Sequence, residues 1–560
     1  MKVCPGEEEY KIYYAQALFK AGQYPEATRA AAKVDSPQFA QRINMLLASI
    51  KYESDELSAC ASKLDACLPD DPETVIAYAA IAYKEGKFEE ARVKYNEALN
   101  TLGYQADLSY NIALCHYKLG QTAQALKVIG MIIDRGVKEH PELSVGSNTD
   151  GIDVRSVGNS MVLQETRLVE AFNLKAAIEY NSKNLDAARE ALSDMPPRQE
   201  EELDPVTLHN QALMYMDSDA TAGFRKLNFL LQNPPFPPET FGNLLLLHCK
   251  YGYYDLAADI LAENSHLTYK FLSQELYEYL EATIMVSTSP EEAYRKYDIL
   301  TTKHIEKLRK LTKAIQDAKM VRNNDAMKAG LQDFDDATEK YMPILMAQAR
   351  VYWDRENYLM VEKLFRQTAE FCAEQDAWRL NVAHVFFMQE TKFTEAIRYY
   401  HPIVKKNSDN ILDCTAIVLA NLCVAYIMTS QNEEAEELMK KIEKEEERLA
   451  FSEPDKQCFH LCIVNLVIGT LYCAKGNFEF GISRICKSLE PYEKRLSADT
   501  WFYAKRCFLA LAENMAKQML TLKDTTLHGK FFCSLHSPLS ARSSLGFHTI
   551  HDNLTLTLTL

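Results

Sequence analysis

The residue types best suited to chemistry stand closest together at Cys458, His460 and Cys462. A zinc site needs thiolate and imidazole ligands converging on one tetrahedral centre. On a helix, Cys458 and Cys462 share a face one turn apart, while His460 points nearly the opposite way. No metal is expected there. The 14 cysteines are otherwise scattered without paired spacing, the pattern of buried thiols in a reducing, cytoplasmic compartment. His116, His209 and His384 fall singly in helical stretches, where a hydrogen-bonded place in the core or along a groove is expected. The phosphate-cradling glycine loops, the H-E-x-x-H zinc helix and the G-x-S-x-G elbow do not occur. The expectation is a protein without catalysis or cofactor. A net charge of -16 argues against nucleic acid or an anionic membrane as partner. No basic stretch leads into an apolar leader at the N-terminus, and no apolar run reaches membrane-spanning length.

The elements that must position any site announce themselves by repetition. Gly22-x-Tyr24-x-x-Ala27, Asp55-x-Leu57-x-x-Cys60, Gly86-x-Phe88-x-x-Ala91 and Gly120-x-Thr122-x-x-Ala125 follow at steps of 33, 31 and 34 residues. A period near 34 with this triplet predicts tetratricopeptide-type helical hairpins, an all-α right-handed superhelix. The first position ends one helix in a left-handed turn, the aromatic wedges between helices, and the small residue lets the second helix close in. Less regular copies begin at Lys183, Gly252, Glu356, Thr391, Ser430 and Gly476.

Composition divides the chain as follows. Repeats are expected over 1–134, an inserted Gly/Ser/Asn/Asp-rich loop over 135–162, and further repeats over 163–285. Over 286–343 the chain becomes highly charged, with Ile299, Ile305, Leu308, Leu311 and Ile315 at helical spacing. One or two long helices are predicted there, dividing two arrays and either packing back on the solenoid or forming a coiled coil with another chain. Repeats resume over 344–519, and 520–560 reads as a divergent tail without order. The alternating Leu and Thr at its end fit either an edge strand or a translated simple repeat from an alternative terminal exon. Asn553-Leu-Thr forms a glycosylation sequon expected to be silent.

First helices of such repeats line the concave face. Three residues before the turn stand Phe19, Tyr52, Tyr83, Tyr117, Tyr180 and Trp353; ten before stand Ile12, Met45, Ile76, Tyr110 and Met346; six before stand Leu114, Leu246, Val385 and Val424. So apolar a groove would be a large exposed patch. An extended segment of another protein filling it permanently is the expectation; a tightly wound superhelix filling its own bore is the competing arrangement. A co-chaperone-like scaffold would instead need a basic carboxylate clamp.

The strings HPELSVGSNTDGIDVRSVGN, MPPRQEEELDPVTLHNQALM, PFPPETFGNLLLLHCKYGYYDLAADILAENSHLTYKFL, IVLANLCVAYIMTSQNEEAEELMKKIEKEEE and LCIVNLVIGTLYCAKGNFEFGISR carry a more specific signal. From about Tyr10 to Met515 the chain resembles the tetratricopeptide-repeat protein 30 family, the seventy-kilodalton subunit of intraflagellar transport complex B, also called fleer. The resemblance implies a ciliary transport adaptor wrapped around a proline-containing segment of the fifty-two-kilodalton core subunit. It also implies a need for the protein in cilium assembly, kinesin-2-linked anterograde transport and axonemal tubulin polyglutamylation, with residence at axoneme, basal body and cytoplasm. Against the family pattern, repeats ahead of YYAQALFKAGQYPEA and helices in place of the Leu-Thr tail are lacking, so altered terminal caps are expected.

Overall fold

The computed structural model describes residues 8–34, 36–143, 156–216, 218–408, 410–452, 458, 460–488 and 509. Among them every extended element is helical. The inserted loop between 144 and 155, the 520–560 tail with its sequon, and most of 489–519 lie outside the described residues.

The chain divides into two compact units at Leu247–His248, with Lys270–Leu272 grouped with the first. The first unit is built from α1 (Glu8–Lys20), α2 (Tyr24–Ala31), α3 (Ala40–Glu53), α4 (Leu57–Leu64), α5 (Pro72–Lys84), α6 (Phe88–Leu102), α7 (Ala106–Lys118), α8 (Thr122–Glu139), α9 (Met161–Thr166), α10 (Leu168–Asn181), α11 (Leu185–Ser193), α12 (Pro205–Tyr215), α13 (Ala220–Gln232) and most of α14 (Glu239–Lys250). The second carries α15 (Tyr254–Glu263), part of α16 (Ser265–Phe271), α17 (Gln274–Met285), α18 (Pro290–Met320), α19 (Asn324–Trp353), α20 (Tyr358–Cys372), α21 (Asp376–Met388), α22 (Phe393–Lys406), α23 (Ala416–Met428), α24 (Asn432–Ser452), α25 (His460–Ala474) and α26 (Phe478–Ser488).

Nine of the ten turn positions read from the sequence have positive φ, from 58° at Glu356 to 88° at Gly476. The following amide then reaches back over the helix end: Lys87 N donates to Ala82 O at 2.8 Å, and Asn357 N to Tyr352 O at 3.0 Å. This closure satisfies carbonyls that the helix itself leaves open. The tenth is displaced: Glu390 takes φ 57° in place of Thr391, because one extra residue separates Met388 from Phe393. At the small position Ala27, Ala91, Ala125, Ala188, Ala257 and Ala396 are fully buried.

Each patch of core is shared by neighbouring helices only. Ala15, Ala27, Leu46 and Ile50 join α1 to α3. Ala79, Ala91, Tyr95 and Ile112 join α5 to α7, and Ala113, Ile129 and Leu174 carry the layer to α10. In the second unit Tyr400, Leu419, Cys423, Ile442 and Val464 link α22 through α25.

The boundary expected at Pro343 is corrected: α19 runs through that proline to Trp353. Tyr341, Met342, Ile344 and Leu345 around it are all buried. Their packing outweighs the roughly 3 kcal/mol cost of a proline inside a helix. The C-terminal part of α19 is thereby the first helix of the Glu356 hairpin, so the long charged helices continue the stack and do not separate two arrays. They pack on each other as a hairpin, and α18 packs on α17.

Candidate functional site

In the first unit, first helices α5, α7, α10 and α12 border a cavity of about 950 Å³. Tyr83, Tyr110, Leu114 and Tyr117, four of the residues picked from the sequence, line it together. It is also lined by Asn159, by Leu163 and Gln164 on α9, by Arg198 and Asp204 in a connector, and by Pro237, Pro238 and Glu239 where α14 starts. By sequence Asn159 falls in the inserted loop and the others within the 163–285 repeats. The prolines were the available signal, since a chain barred from helix can present ring faces and free carbonyls to a cavity.

The connector is pinned from several sides. Arg198 has its side chain only 2% exposed and donates from Nη2 to Asp204 Oδ1 at 2.9 Å, and from Nη1 to Asn159 Oδ1 at 3.3 Å. Val157 N donates to Pro197 O at 2.9 Å. Asp204 also caps α12, accepting from Thr207 N at 2.9 Å. Among the described residues Lys118 has no ion-pair partner; its Nζ lies 5.7 Å over the Tyr117 ring. Desolvation pushes the Tyr83 hydroxyl up to about 12 and raises those of Tyr110 and Tyr117. All three therefore stay neutral donors at physiological pH.

From Asn173 on the cavity lining runs a polar ladder that the sequence did not disclose. Asn210 Nδ2 donates to Asn173 Oδ1 at 2.8 Å, and Asn173 Nδ2 to Thr207 Oγ1 at 2.9 Å. One repeat further, Asn243 Nδ2 donates to His209 Nε2 at 3.1 Å. His209 Nδ1 is then the protonated nitrogen, facing Thr240 Oγ1 at 2.9 Å. All six are buried. The ladder fixes the register of α10, α12 and α14 without leaving a buried group unpaired.

The remaining residues picked from the sequence do not reach the cavity. Ile12 and Trp353 are corrected to core residues, 1% and 7% exposed. Ile12 shares the inner face of α1 with Ala15, and the Trp353 ring packs edge-on against Tyr358 at 5.0 Å. Leu246, Met346, Val385 and Val424 are likewise buried, so no continuous exposed apolar lining runs along these positions. Phe19, Met45, Tyr52, Ile76 and Tyr180 are half-buried.

The aromatic three before the turn serves its own hairpin wherever a wedge ring follows. Tyr83 meets Phe88 at 5.2 Å and Phe19 meets Tyr24 at 5.9 Å. Where the wedge is Leu57 or Thr122, the tyrosine turns to the next repeat: Lys84 Nζ lies 4.3 Å over the Tyr52 ring, and Asn181 Nδ2 donates to Tyr117 Oη at 2.6 Å.

The histidines hold structural places. His116 Nδ1 meets Gln121 Oε1 at 2.7 Å, and His384 Nδ1 meets Tyr400 Oη at 2.6 Å. His460 Nε2 donates to Cys414 O at 2.9 Å. Among the described residues no group of three potential ligands converges, and no helix is long and apolar enough to cross a membrane.

Comparison with known proteins gives this architecture a lineage. Residues 240–533 match the family model described as intraflagellar transport protein 70 C-terminal domain, and residues 2–151 match that of intraflagellar transport protein 56. Intraflagellar transport protein 70A of Xenopus tropicalis is 61% identical over 527 residues, 94% of this chain and 81% of that protein. The Danio rerio protein of that name is 61% identical over 93% of this chain and 80% of its own length. Intraflagellar transport protein 70B of Rattus norvegicus is 59% identical over 96% and 83%. A solved structure, the APC/C hetero-tetramer Cut9-Hcn1, shares 14% identity with a TM-score of 0.37, covering 90% of this chain and 97% of that one; at that distance it carries no argument. With relatives this close over nearly its whole length, the chain belongs to the intraflagellar transport protein 70 family.

Proposed function

We propose that the protein is a non-catalytic adaptor of intraflagellar transport complex B that holds an extended segment of a core partner, first the fifty-two-kilodalton subunit. The observation that carries the reading is the 950 Å³ cavity, whose lining includes Tyr83, Tyr110, Leu114 and Tyr117 together with Pro237 and Pro238. Aromatic and proline faces suit an extended, proline-containing chain, whose low conformational entropy limits the cost of ordering it. A carboxylate-clamp co-chaperone fits poorly, because Arg198 is already committed to Asp204 and Asn159. Among the described lining residues Lys118 alone is left to form such a clamp. Through this assembly the protein would serve cilium formation, kinesin-2-linked anterograde movement and axonemal tubulin polyglutamylation, at the axoneme, basal body and cytoplasm.

The test is co-expression of the chain with the proline-containing segment of the fifty-two-kilodalton subunit, followed by size-exclusion chromatography. A one-to-one peak that is lost in a Tyr110→Glu/Leu114→Glu variant supports the reading. An unchanged complex with that variant, or no complex with the native chain, overturns it.

A further inference from the structure

The α18–α19 hairpin changes character along its length. Near its base Tyr297, Leu300, His304 and Leu308 on α18, and Tyr341 and Leu345 on α19, are buried. Between Leu308 and Ala337 no side chain is fully buried; Leu311, Ile315, Ala318, Met327, Gly330 and Phe334 form a half-buried seam between two otherwise exposed helices. The hairpin thus extends roughly 18 Å past its last buried layer on α18, at 1.5 Å per residue.

The two helices carry opposite excesses of charge, α19 holding five acidic and two basic side chains over residues 324–340. On an acidic protein, residues 303–322 hold seven basic side chains and two acidic ones. Lys303 pairs with Glu278 at 2.7 Å, but Lys307, Arg309, Lys310, Lys313, Lys319 and Arg322 form no ion pair with any described residue. Their placement is ordered. Ile299, Glu306, Lys313 and Met320 recur every seven residues along the exposed side of α18, which sets them on one line, with Arg309 and Lys310 flanking it. Ile299 is 58% and Met320 76% exposed, an apolar anchor at each end of a basic stripe.

We propose that this outer face of α18 is a docking surface for an acidic helical segment of another polypeptide. Heptad spacing suits a helix lying alongside, the cations supply attraction and register, and Ile299 and Met320 supply the contacts that shed water. Glu306 and Asp317 within the stripe disfavour a phosphate backbone, which would meet them as like charges. The surface shares no residue with the cavity lining, so neither reading depends on the other.

The experiment is fluorescence anisotropy of the full chain with a labelled 20-residue helical peptide of glutamate, alanine and leucine, at low ionic strength. The expected result is saturable binding, weakened at least tenfold by Arg309→Glu/Lys310→Glu/Lys313→Glu and unmoved by Lys127→Glu on α8. The exposed triple variant should keep the native helical melting curve. Equal binding by the triple variant overturns the proposal. So does a 20-nucleotide single strand that binds more tightly than the peptide, or self-association of the chain abolished by the triple variant, which would assign the face to a second copy.

Discussion

Hairpin α5–α6 reverses at Gly86 with φ 79°, and hairpin α18–α19 at Arg322 with φ 55°. Both close with the same backbone bond, Lys87 N to Ala82 O at 2.8 Å in one and Asn323 N to Ala318 O at 3.0 Å in the other. Beyond the turn they part. Ala91, Tyr95 and Ala98 of α6 are buried between α5 and α7, so that hairpin is held from two sides. Among the described residues the outer half of α18–α19 buries no side chain fully, and within its seam a Cβ on Gly330 would sit 3.0 Å from Ile315 Cγ1. The turn is a property of a few peptide units; how much it must bear is set by what lies on either side.

Six substitutions would break or sharpen that contrast, most directly through hydrogen exchange of the affected helix amides. Ala91→Leu forces a larger side chain into a closed layer and should cost about 3 kcal/mol, whereas Ala326→Leu, on the exposed face of α19, should change stability by less than about 0.5 kcal/mol. Comparable losses would mean the projection is packed after all.

Buried charge marks the supported regions in a second way. Desolvation raises the Glu362 carboxyl, but donors from Lys392, Gln389 and Arg366 outweigh it and hold it below its usual range. Its contribution is therefore present above the unfolded value of about 4.3 and lost as pH falls through the lower folded value. Glu362→Gln should cost about 1–2 kcal/mol at neutral pH and flatten acid sensitivity of the α20–α22 amides between about pH 5 and 3. An unchanged acid profile would assign that sensitivity elsewhere.

Smaller effects belong to the turns and the seam. Gly86→Ala should cost about 1 kcal/mol, since the new Cβ meets nothing within 4 Å and only the backbone is strained. Arg322→Gly relieves that strain and should shift stability by less than about 0.5 kcal/mol. Gly330→Ala gains helix propensity of up to about 1 kcal/mol and should come out near neutral, because Ile315 on an open projection can yield.

The hairpin turns were legible in sequence because a left-handed residue and a small residue five positions on are local demands that leave local marks. Arg322 was missed: it does the same work without glycine, and no wedge or alanine follows it. Pro343 misled because its cost is local and the packing that overrides it is not. Tyr83, Tyr110, Leu114 and Tyr117 could be read as one lining from their offsets within the repeat. Arg198, Asp204 and Pro237 could not, since connectors have no period to count from. Ile12 and Trp353 failed for a related reason: an offset names a helix face, and whether that face meets solvent depends on the neighbouring layer.

The buried thiols have a use of their own. Cys60, Cys67 and Cys115 lie in the first unit, and Cys249, Cys372, Cys414, Cys423 and Cys462 in the second, all enclosed. Burial pushes the Cys115 thiol to about 11 and those of Cys249, Cys372 and Cys423 to about 12. An alkylating reagent can then reach them only when the surrounding helices part. The native chain already carries clocks for local opening in each unit, readable by mass spectrometry without adding a label, and bound partners would register as the clocks that slow.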